Sequence, residues 1–198
     1  MFGRIKAILM EPKQEWPRID AEPATVGGIM TGWAVPLAAI GPVAGLIGTS
    51  LFFNSFGGLV ARPSMTFLIC AAAIGYVLGL VGIYIFSLII NALAPTFGGQ
   101  KDAVQAMKVA AYGATAAWVA AIFQLVPMLS LLGLLGALYT IYLLYIGLPM
   151  LMRVGQDKAT AYLITVIVVA IVIQLVIGAV AWSIAWRMFM PAMPVISG

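Results

Sequence analysis

The chain has 198 residues, of which 64% are hydrophobic and only 8% are charged, with ten Lys and Arg against six Asp and Glu. Soluble domains carry about 25% charged residues, so this composition excludes a water-soluble globular domain and requires a surface that faces lipid. Backbone polar groups in lipid must be paired internally, which leaves only helices or closed barrels. The apolar runs are long and continuous rather than alternating, so helices are expected.

The charged residues divide the chain into four long uncharged runs. No Asp, Glu, Lys or Arg occurs within residues 23–61, 63–100, 109–152 and 159–186. A helix needs about 20 apolar residues to cross the hydrocarbon core, and the third run is long enough for two crossings. We therefore predict an all-α polytopic membrane protein, a bundle of five transmembrane helices. Proline and glycine positions place the five spans near 27–53, 65–93, 108–126, 129–151 and 160–186.

The Lys and Arg residues are unevenly distributed between the two sides of such a bundle. If the N-terminus is cytoplasmic, eight of them fall inside and only Arg62 and Arg187 fall outside. Short loops rich in Lys and Arg stay in the cytoplasm, so the pattern predicts a cytoplasmic N-terminus and an external C-terminus. The predicted organisation is a cytoplasmic segment (1–23), a membrane domain (24–190) and an external tail (191–198).

The N-terminal segment has its own pattern. Apolar residues recur at helical spacing between Phe2 and Leu9, and Pro12 ends the pattern, which predicts a short amphipathic helix. Two interpretations stay open: a helix that lies on the cytoplasmic leaflet with its bases near anionic lipid, or a lead-in docked on the bundle. In both, Trp16 is expected to be an interfacial anchor. The candidate membrane-surface contacts are Arg4, Lys6, Trp16, Lys101, Lys108 and Arg153.

Prolines interrupt the predicted spans. Pro36 and Pro42 each remove a backbone donor from the first span, which predicts a kinked or locally unwound helix. Discontinuous helices build binding sites in transporters, although a simple bend is the commoner outcome. Glycines at a spacing of four, such as Gly41 and Gly45, favour close packing within the bundle over a dimer contact. The predicted helix breaks are Pro36, Pro42, Pro127 and Pro149.

Uncharged polar side chains in or near the spans form a candidate intramembrane seam. They could line a polar path, but hydrogen bonds between helices are the favoured interpretation, and Gln174 in mid-span is expected to pair across helices. No ionisable residue lies deep in a predicted span, where a proton relay would need one. The sequence contains no histidine and no metal, phosphate or dinucleotide motif. We therefore predict no enzyme, no cofactor, no metal site and no nucleic-acid partner. The seam residues are Asn91, Tyr112, Gln124, Tyr139, Tyr142, Tyr145 and Gln174.

Several segments resemble a known family. The opening FGRIKAIL of residues 2–9, followed by Trp16, is similar to the start of bacterial members of the Yip (Ypt/Rab-interacting protein) domain family. The segments IGPVAGLIG (40–48), KVAAYGATAAW (108–118) and YTIYLLYIGLP (139–149) resemble blocks of its first, third and fourth spans. Family members commonly have a proline shortly before the Trp118 position, where this chain has Ala116 and Ala117.

The resemblance covers nearly the whole chain and implies a five-helix protein of the bacterial inner membrane with its N-terminus in the cytoplasm. Eukaryotic members bind prenylated Rab GTPases. That role is not expected here, because the long acidic cytoplasmic region of those members is absent from this sequence.

Two classes of function follow from these patterns. The first is a non-enzymatic membrane protein that organises or binds membrane lipids, other membrane proteins or further copies of itself. The alternative is a channel or facilitator for a neutral or amphipathic solute, because the proline-broken first span would lie beside a fourth span rich in tyrosine. A bundle that moves lipids lies between the two.

Overall fold

The computed structural model describes residues 1–55 and 64–189, which form helices and turns without a strand among them. This part of the chain contains five helical stretches that are long and apolar enough to cross a membrane, and the predicted fold class is confirmed. Arg62 and the predicted tail 191–198 lie outside the described residues. The first to fifth spans are Val26–Phe52, Met65–Phe97, Ala103–Leu125, Met128–Leu151 and Gln156–Ala181.

Two short helices precede the first span. The helix α1 (Phe2–Met10) is followed directly by α2 (Pro12–Ala21), and Pro12 occupies the first turn of α2, where its missing N–H needs no partner. The sequence predicted α1 but not α2, because α2 is mostly polar and contains Pro17. We refer to α1 and α2 as the N-terminal hairpin. The hairpin packs on the third and fourth spans of the bundle, which agrees with the docked interpretation.

The first span is built from four short pieces. They are α3 (Val26–Ile29), a π-helical turn (Met30–Ala34), α4 (Val35–Ala38) and α5 (Ile40–Ser55). Pro36 and Pro42 lie in the first turns of α4 and α5, on either side of the break at Ala39. The span is therefore locally irregular where these prolines remove backbone donors.

The second and third spans begin at side-chain caps. The hydroxyl of Ser64 accepts a hydrogen bond from the Phe67 amide at 3.1 Å and starts α6 (Met65–Leu93). The Asp102 carboxylate accepts from two amides at 2.9 and 3.0 Å and starts α7 (Ala103–Gly113). The third span thus begins five residues before the predicted position 108.

The third span is not one continuous α-helix, although it has no proline shortly before Trp118. The chain turns at Ala114 between α7 and α8 (Thr115–Ala120) and then tightens into a 3₁₀ turn (Ala121–Leu125). The amide of Ala117 lies 3.2 Å from the hydroxyl oxygen of Thr140 in the fourth span and donates a hydrogen bond to it. This side-chain acceptor lies in the first turn of α8, directly after the interruption at Ala114.

The last two spans complete the bundle. Pro127 opens a 3₁₀ turn (Pro127–Leu132), and α9 (Gly133–Leu151) and α10 (Gln156–Phe189) follow. The prediction that Pro149 breaks its helix is wrong, because α9 continues through Pro149 to Leu151. Only two residues follow Pro149 in the helix, so it lies in the last turn of α9.

The third span is the centre of the bundle. In its most apolar stretch 56% of the residues are buried, against 11% for the fifth span, and every residue of α7 from Ala106 to Gly113 is buried. Small side chains such as Ala110 and Ala111 let neighbouring helices approach from all sides. The exposed aliphatic faces of the outer spans are suited to lipid, and the chain is a multi-pass membrane protein.

The charged segments meet at one end of the bundle, which we name the N-terminal face. The amide of Gln100 donates to the Met152 carbonyl at 2.9 Å, and Arg153 bonds to Asp20 of the hairpin. The hairpin, the turn 98–102 and the turn 152–155 therefore lie together. Eight of the ten Lys and Arg residues belong to these segments or to the helix turns next to them.

Candidate functional site

Lys108 fastens the N-terminal hairpin to the third span. Its side chain is 2% exposed, and its Nζ donates hydrogen bonds to the carbonyl oxygens of Glu22 at 2.7 Å and Asp20 at 3.2 Å. Asp20 lies in the last turn of α2 and Glu22 directly after it. The C=O groups there lack intrahelical partners, so the ammonium caps that helix. The prediction of Lys108 as a membrane-surface contact is wrong, because its charge is buried against the hairpin.

Trp16 is a core residue rather than an interfacial anchor. Its side chain is 1% exposed, and its ring lies on Gly147 of α9, where an added Cβ would come within 2.6 Å of the indole Cζ2. Glycine at this position lets α2 and α9 approach closely enough to bury the ring. The anchor prediction is therefore wrong: Trp16 fills a space between the hairpin and the bundle.

Further bonds hold the hairpin in place. The hydroxyl of Tyr139 donates to the Leu9 carbonyl at 2.6 Å, and one nitrogen of Arg153 contacts both carboxylate oxygens of Asp20, at 2.9 and 3.0 Å. Arg153 remains exposed and satisfies an acidic side chain of the hairpin. Lys6 and Lys101 are exposed, and their roles as surface contacts stay predictions.

A cavity of about 690 Å³ opens between the hairpin and the first span. We name it the N-terminal cleft. An added Cβ on Gly32 would meet nothing within 4 Å, so the space beside the first span is open. The residues that determine its chemistry are Arg4, Glu22, Gly28, Gly32, Trp33 and Tyr112.

Two aromatic rings form the floor of the N-terminal cleft. The indole Nε1 of Trp33 donates to the Thr115 hydroxyl at 3.0 Å in a buried position. The ring of Tyr112 packs at 4.8 Å from that of Trp33 between centroids, and the Arg4 guanidinium lies 5.9 Å from the Tyr112 centroid. These contacts fix both rings and place a cation beside them.

The charges at the cleft are paired. Arg4 bonds to Glu22 at 2.6 Å and to the buried Glu15 at 3.3 Å, and Arg18 reaches Glu15 at 3.4 Å. Burial lowers the pKa of the Arg4 guanidinium, but the hydrogen bond and charge of Glu22 outweigh it, so the pKa lies above its ordinary value. Arg4 therefore stays charged, and the four side chains sum to zero charge.

The family model of the Yip1 domain matches residues 6–189 of this chain. The chain belongs to the Yip1 domain family. The match covers all five spans and most of the hairpin, so the resemblance of the sequence to the Yip family is confirmed. No curated protein and no solved structure matches the chain at a significant level.

A second cavity of this Yip1-domain protein, about 360 Å³, lies between α5, α6 and Gln124. It shares no lining residue with the N-terminal cleft, and Trp33, Ala34 and Leu37 are buried in the stretch of the first span between them. A path for a solute, the alternative function predicted from the sequence, would require these cavities to join.

The glycine pair Gly41 and Gly45 serves packing within the chain. An added Cβ on Gly41 would lie 3.3 Å from the Ala121 side chain, and one on Gly45 would lie 3.0 Å from the Gln124 amide oxygen. The 3₁₀ turn of the third span approaches α5 through these glycines.

The predicted polar seam does not assemble in the Yip1 bundle. Tyr112 lies in the cleft, whereas Tyr139 bonds to the hairpin and only its ring contact with Tyr142, at 5.4 Å between centroids, joins two seam members. Among the described residues the Asn91 amide oxygen is buried without a hydrogen bond. The pairing predicted for Gln174 is wrong within residues 1–55 and 64–189, where its exposed side chain has no hydrogen-bond partner. The exposed members are Gln124, Tyr142, Tyr145 and Gln174.

Sequence reasoning missed the contacts that build the cleft. Trp33 and Thr115 are 82 positions apart, and Lys108 meets carbonyls 86 and 88 positions away. One sequence signal for these contacts was available. Lys108 is a lysine within the helix that Asp102 caps, and a charge in an apolar helix requires partners. The described residues contain no cluster of three or more His, Cys, Asp or Glu that could hold a metal ion.

Proposed function

We propose that this Yip1-domain protein is a non-enzymatic membrane protein that binds phospholipid headgroups in the N-terminal cleft. The observation that carries the proposal is an open cavity of about 690 Å³ in which the Arg4–Glu22 pair faces an aromatic floor. Arg4 belongs to α1, which carries exposed apolar side chains at both ends, Phe2 and Met10. Polar and apolar groups on one helix match a headgroup joined to its acyl chains.

The location of the cleft in the membrane follows from the charges. Because the N-terminal face gathers eight of the ten Lys and Arg residues, the positive-inside rule supports a cytoplasmic N-terminus and an external C-terminus. In a bacterial inner membrane the cleft would then meet the headgroups of the cytoplasmic leaflet. Anionic lipids in that leaflet attract basic segments, and exposed Lys6 and Lys101 would contribute to this attraction outside the cleft.

The proposal includes no catalytic step, because the polar groups of the cleft are already engaged. Arg4 and Glu22 are bonded to each other, and the Thr25 hydroxyl accepts a hydrogen bond from the Gly28 amide at 3.0 Å as the cap of α3. Nucleophilic catalysis needs a hydroxyl or thiol within reach of a base. These contacts favour holding a ligand over transforming it.

Filling the cleft should displace its lipid. Gly32→Leu adds a side chain where a Cβ meets nothing within 4 Å, and leucine favours the helical state more than glycine. We expect phospholipid retention to weaken by about tenfold or more, the loss of at least about 1.4 kcal/mol of binding free energy. Native mass spectrometry of the protein purified in mild detergent would count the retained lipids.

Gly79→Leu is the matched control for this substitution. Gly79 lies on α6 outside the cleft, is exposed, and an added Cβ there also meets nothing within 4 Å. This variant should retain lipid like the wild type. Equal retention by the Gly32→Leu variant and the wild type would contradict headgroup binding in the cleft.

The fifth span suggests a second copy of the chain as a protein partner. Gln174 lies near the middle of α10, and its side chain is exposed among aliphatic neighbours such as Ile171 and Leu175. An amide in hydrocarbon without a partner is unfavourable. Two Gln174 side chains related by a twofold axis can each donate to and accept from the other, so self-association would satisfy both.

Gln174→Leu should weaken self-association. Interhelical polar pairs in membranes contribute about 0.6–1.7 kcal/mol, so the dimer dissociation constant should rise about three- to twentyfold. Energy transfer between differently labelled copies in liposomes, measured over a range of protein-to-lipid ratios, gives this constant. Gln124→Leu makes the same chemical change in the third span and should leave the constant unaltered; a Gln174→Leu constant equal to the wild-type value would exclude the pair.

A further inference from the structure

The N-terminal cleft offers a ligand one charge of each sign. Arg4 and Glu22 are partly exposed, at 31% and 45% of their side-chain surfaces, whereas Glu15 beneath them is exposed by only 6%. Lys108 is buried and its ammonium is already bonded to the carbonyls of Asp20 and Glu22. Among the side chains that line the cleft, a ligand therefore meets one guanidinium and one carboxylate, whose charges sum to zero.

We propose that the cleft selects the zwitterionic headgroup of ethanolamine phospholipids, an inference that rests on headgroup binding as the proposed function. The phosphodiester oxygens would accept hydrogen bonds from the Arg4 guanidinium, whose planar donors match phosphate geometry. The primary ammonium would donate to the Glu22 carboxylate. Each charge of the lipid then faces its opposite, and the ligand replaces the direct contact between Arg4 and Glu22 with two charge-assisted hydrogen bonds.

Anionic headgroups fit this arrangement less well. Their phosphate would still accept hydrogen bonds from Arg4. Glu22, however, would have no cation to pair with, and its carboxylate would repel the bound phosphate. Arg4, the basic side chain that lines the cleft, is already balanced by the carboxylates of Glu22 and Glu15. An anion site would be expected to hold an excess of donors over carboxylates.

Choline headgroups carry the same charges but lack ammonium protons. Trimethylammonium groups are recognised by the open faces of aromatic rings. In the cleft Trp33 is 5% exposed and Tyr112 is 7% exposed. The two rings pack on each other and Arg4 lies beside Tyr112, so little ring surface is open to a ligand. A carboxylate without an aromatic cage favours the primary ammonium, which can donate hydrogen bonds to Glu22.

The experiment is a competition between headgroups on the full-length protein. The delipidated protein is incubated with equal amounts of ethanolamine, choline and glycerol phospholipids of identical acyl chains, and native mass spectrometry counts each bound species. The wild type should be enriched in the ethanolamine lipid. Glu22→Gln keeps an oxygen that accepts from Arg4 but gives the cleft a net charge of +1, so the ratio of ethanolamine to glycerol lipid should fall about tenfold.

Glu11→Gln is the control, since Glu11 is an exposed carboxylate of the hairpin outside the cleft. It should keep the wild-type ratio. Equal binding of the three lipids by the wild type, with loss of all of them in Gly32→Leu, would overturn headgroup selection and leave the proposed function standing. An unchanged ratio in Glu22→Gln, or loss of all three lipids together in that variant, would assign Glu22 a purely structural role and also overturn selection. No bound lipid on the wild type would overturn the proposed function itself.

Discussion

Trp16→Ala should lower the free energy of unfolding by about 3–5 kcal/mol, the range for removing a buried aromatic side chain. The side chain is 1% exposed, so its removal takes away apolar burial and leaves a cavity between α2 and α9. An interfacial anchor, the role predicted from the sequence, would change membrane affinity with little effect on unfolding. Denaturant titration of the purified protein in micelles, followed by circular dichroism, measures the difference.

Gly147 supplies a test of the contact itself. Gly147→Ala places a methyl group within 2.6 Å of the Trp16 ring, which should destabilise the protein by about 1–3 kcal/mol through overpacking. In the Trp16→Ala background the same methyl group enters vacated space, so most of that penalty should disappear. Gly79→Ala, where an added Cβ meets nothing within 4 Å, is the control. Strict additivity of the Trp16 and Gly147 changes would show that the ring does not lie on this glycine.

The membrane constraint explains why the spans could be predicted from the sequence. Lipid excludes unpaired backbone groups and isolated charges, so an uncharged run of sufficient length can hardly be anything but a spanning helix. The second span illustrates this, since α6 (Met65–Leu93) coincides with the predicted 65–93. The third span departs from its prediction at one end, because Lys108 was interpreted as the border of the helix. Its charge is instead accommodated inside the helix by carbonyls of the hairpin.

The candidate site could not be predicted in the same way, because it depends on which surfaces meet. Gly32 and Gly147 are both glycines in apolar spans, yet Trp16 covers Gly147 whereas the position beside Gly32 is open. From the sequence alone, both glycines would be interpreted in the same way, as sites where helices approach closely. The difference arises from α2, a largely polar helix that docks through one narrow face of buried residues, Pro12, Glu15, Trp16 and Ile19. Those buried residues fix the position of the hairpin, and that position creates the cleft.

Lys108→Met should release the N-terminal hairpin. The change removes two charge-assisted hydrogen bonds and leaves the carbonyls of Asp20 and Glu22 without their buried donor. Hydrogen bonds to charged groups contribute about 1.5–3 kcal/mol each, so the loss of both should weaken docking of the hairpin by about 3–6 kcal/mol. Amide hydrogen exchange in residues 1–22 should speed up by more than an order of magnitude, while exchange in the core of α6 should change little, because the opening is local.

Lys101→Met separates the role of this contact from the role of charge. Lys101 is exposed on the same N-terminal face, so its replacement makes the same change in net charge without removing a buried bond, and hairpin exchange should stay at the wild-type rate. Arg4 belongs to the hairpin, Glu22 directly follows it, and both line the cleft. Lys108→Met should therefore also reduce phospholipid retention, although Lys108 itself is not a lining residue. If the Lys108→Met variant shows faster amide hydrogen exchange in the hairpin but retains as much lipid as the wild type, the first span and Tyr112 hold the lipid without the hairpin. Equal exchange in the Lys101→Met and Lys108→Met variants would mean that the buried ammonium does not secure the hairpin.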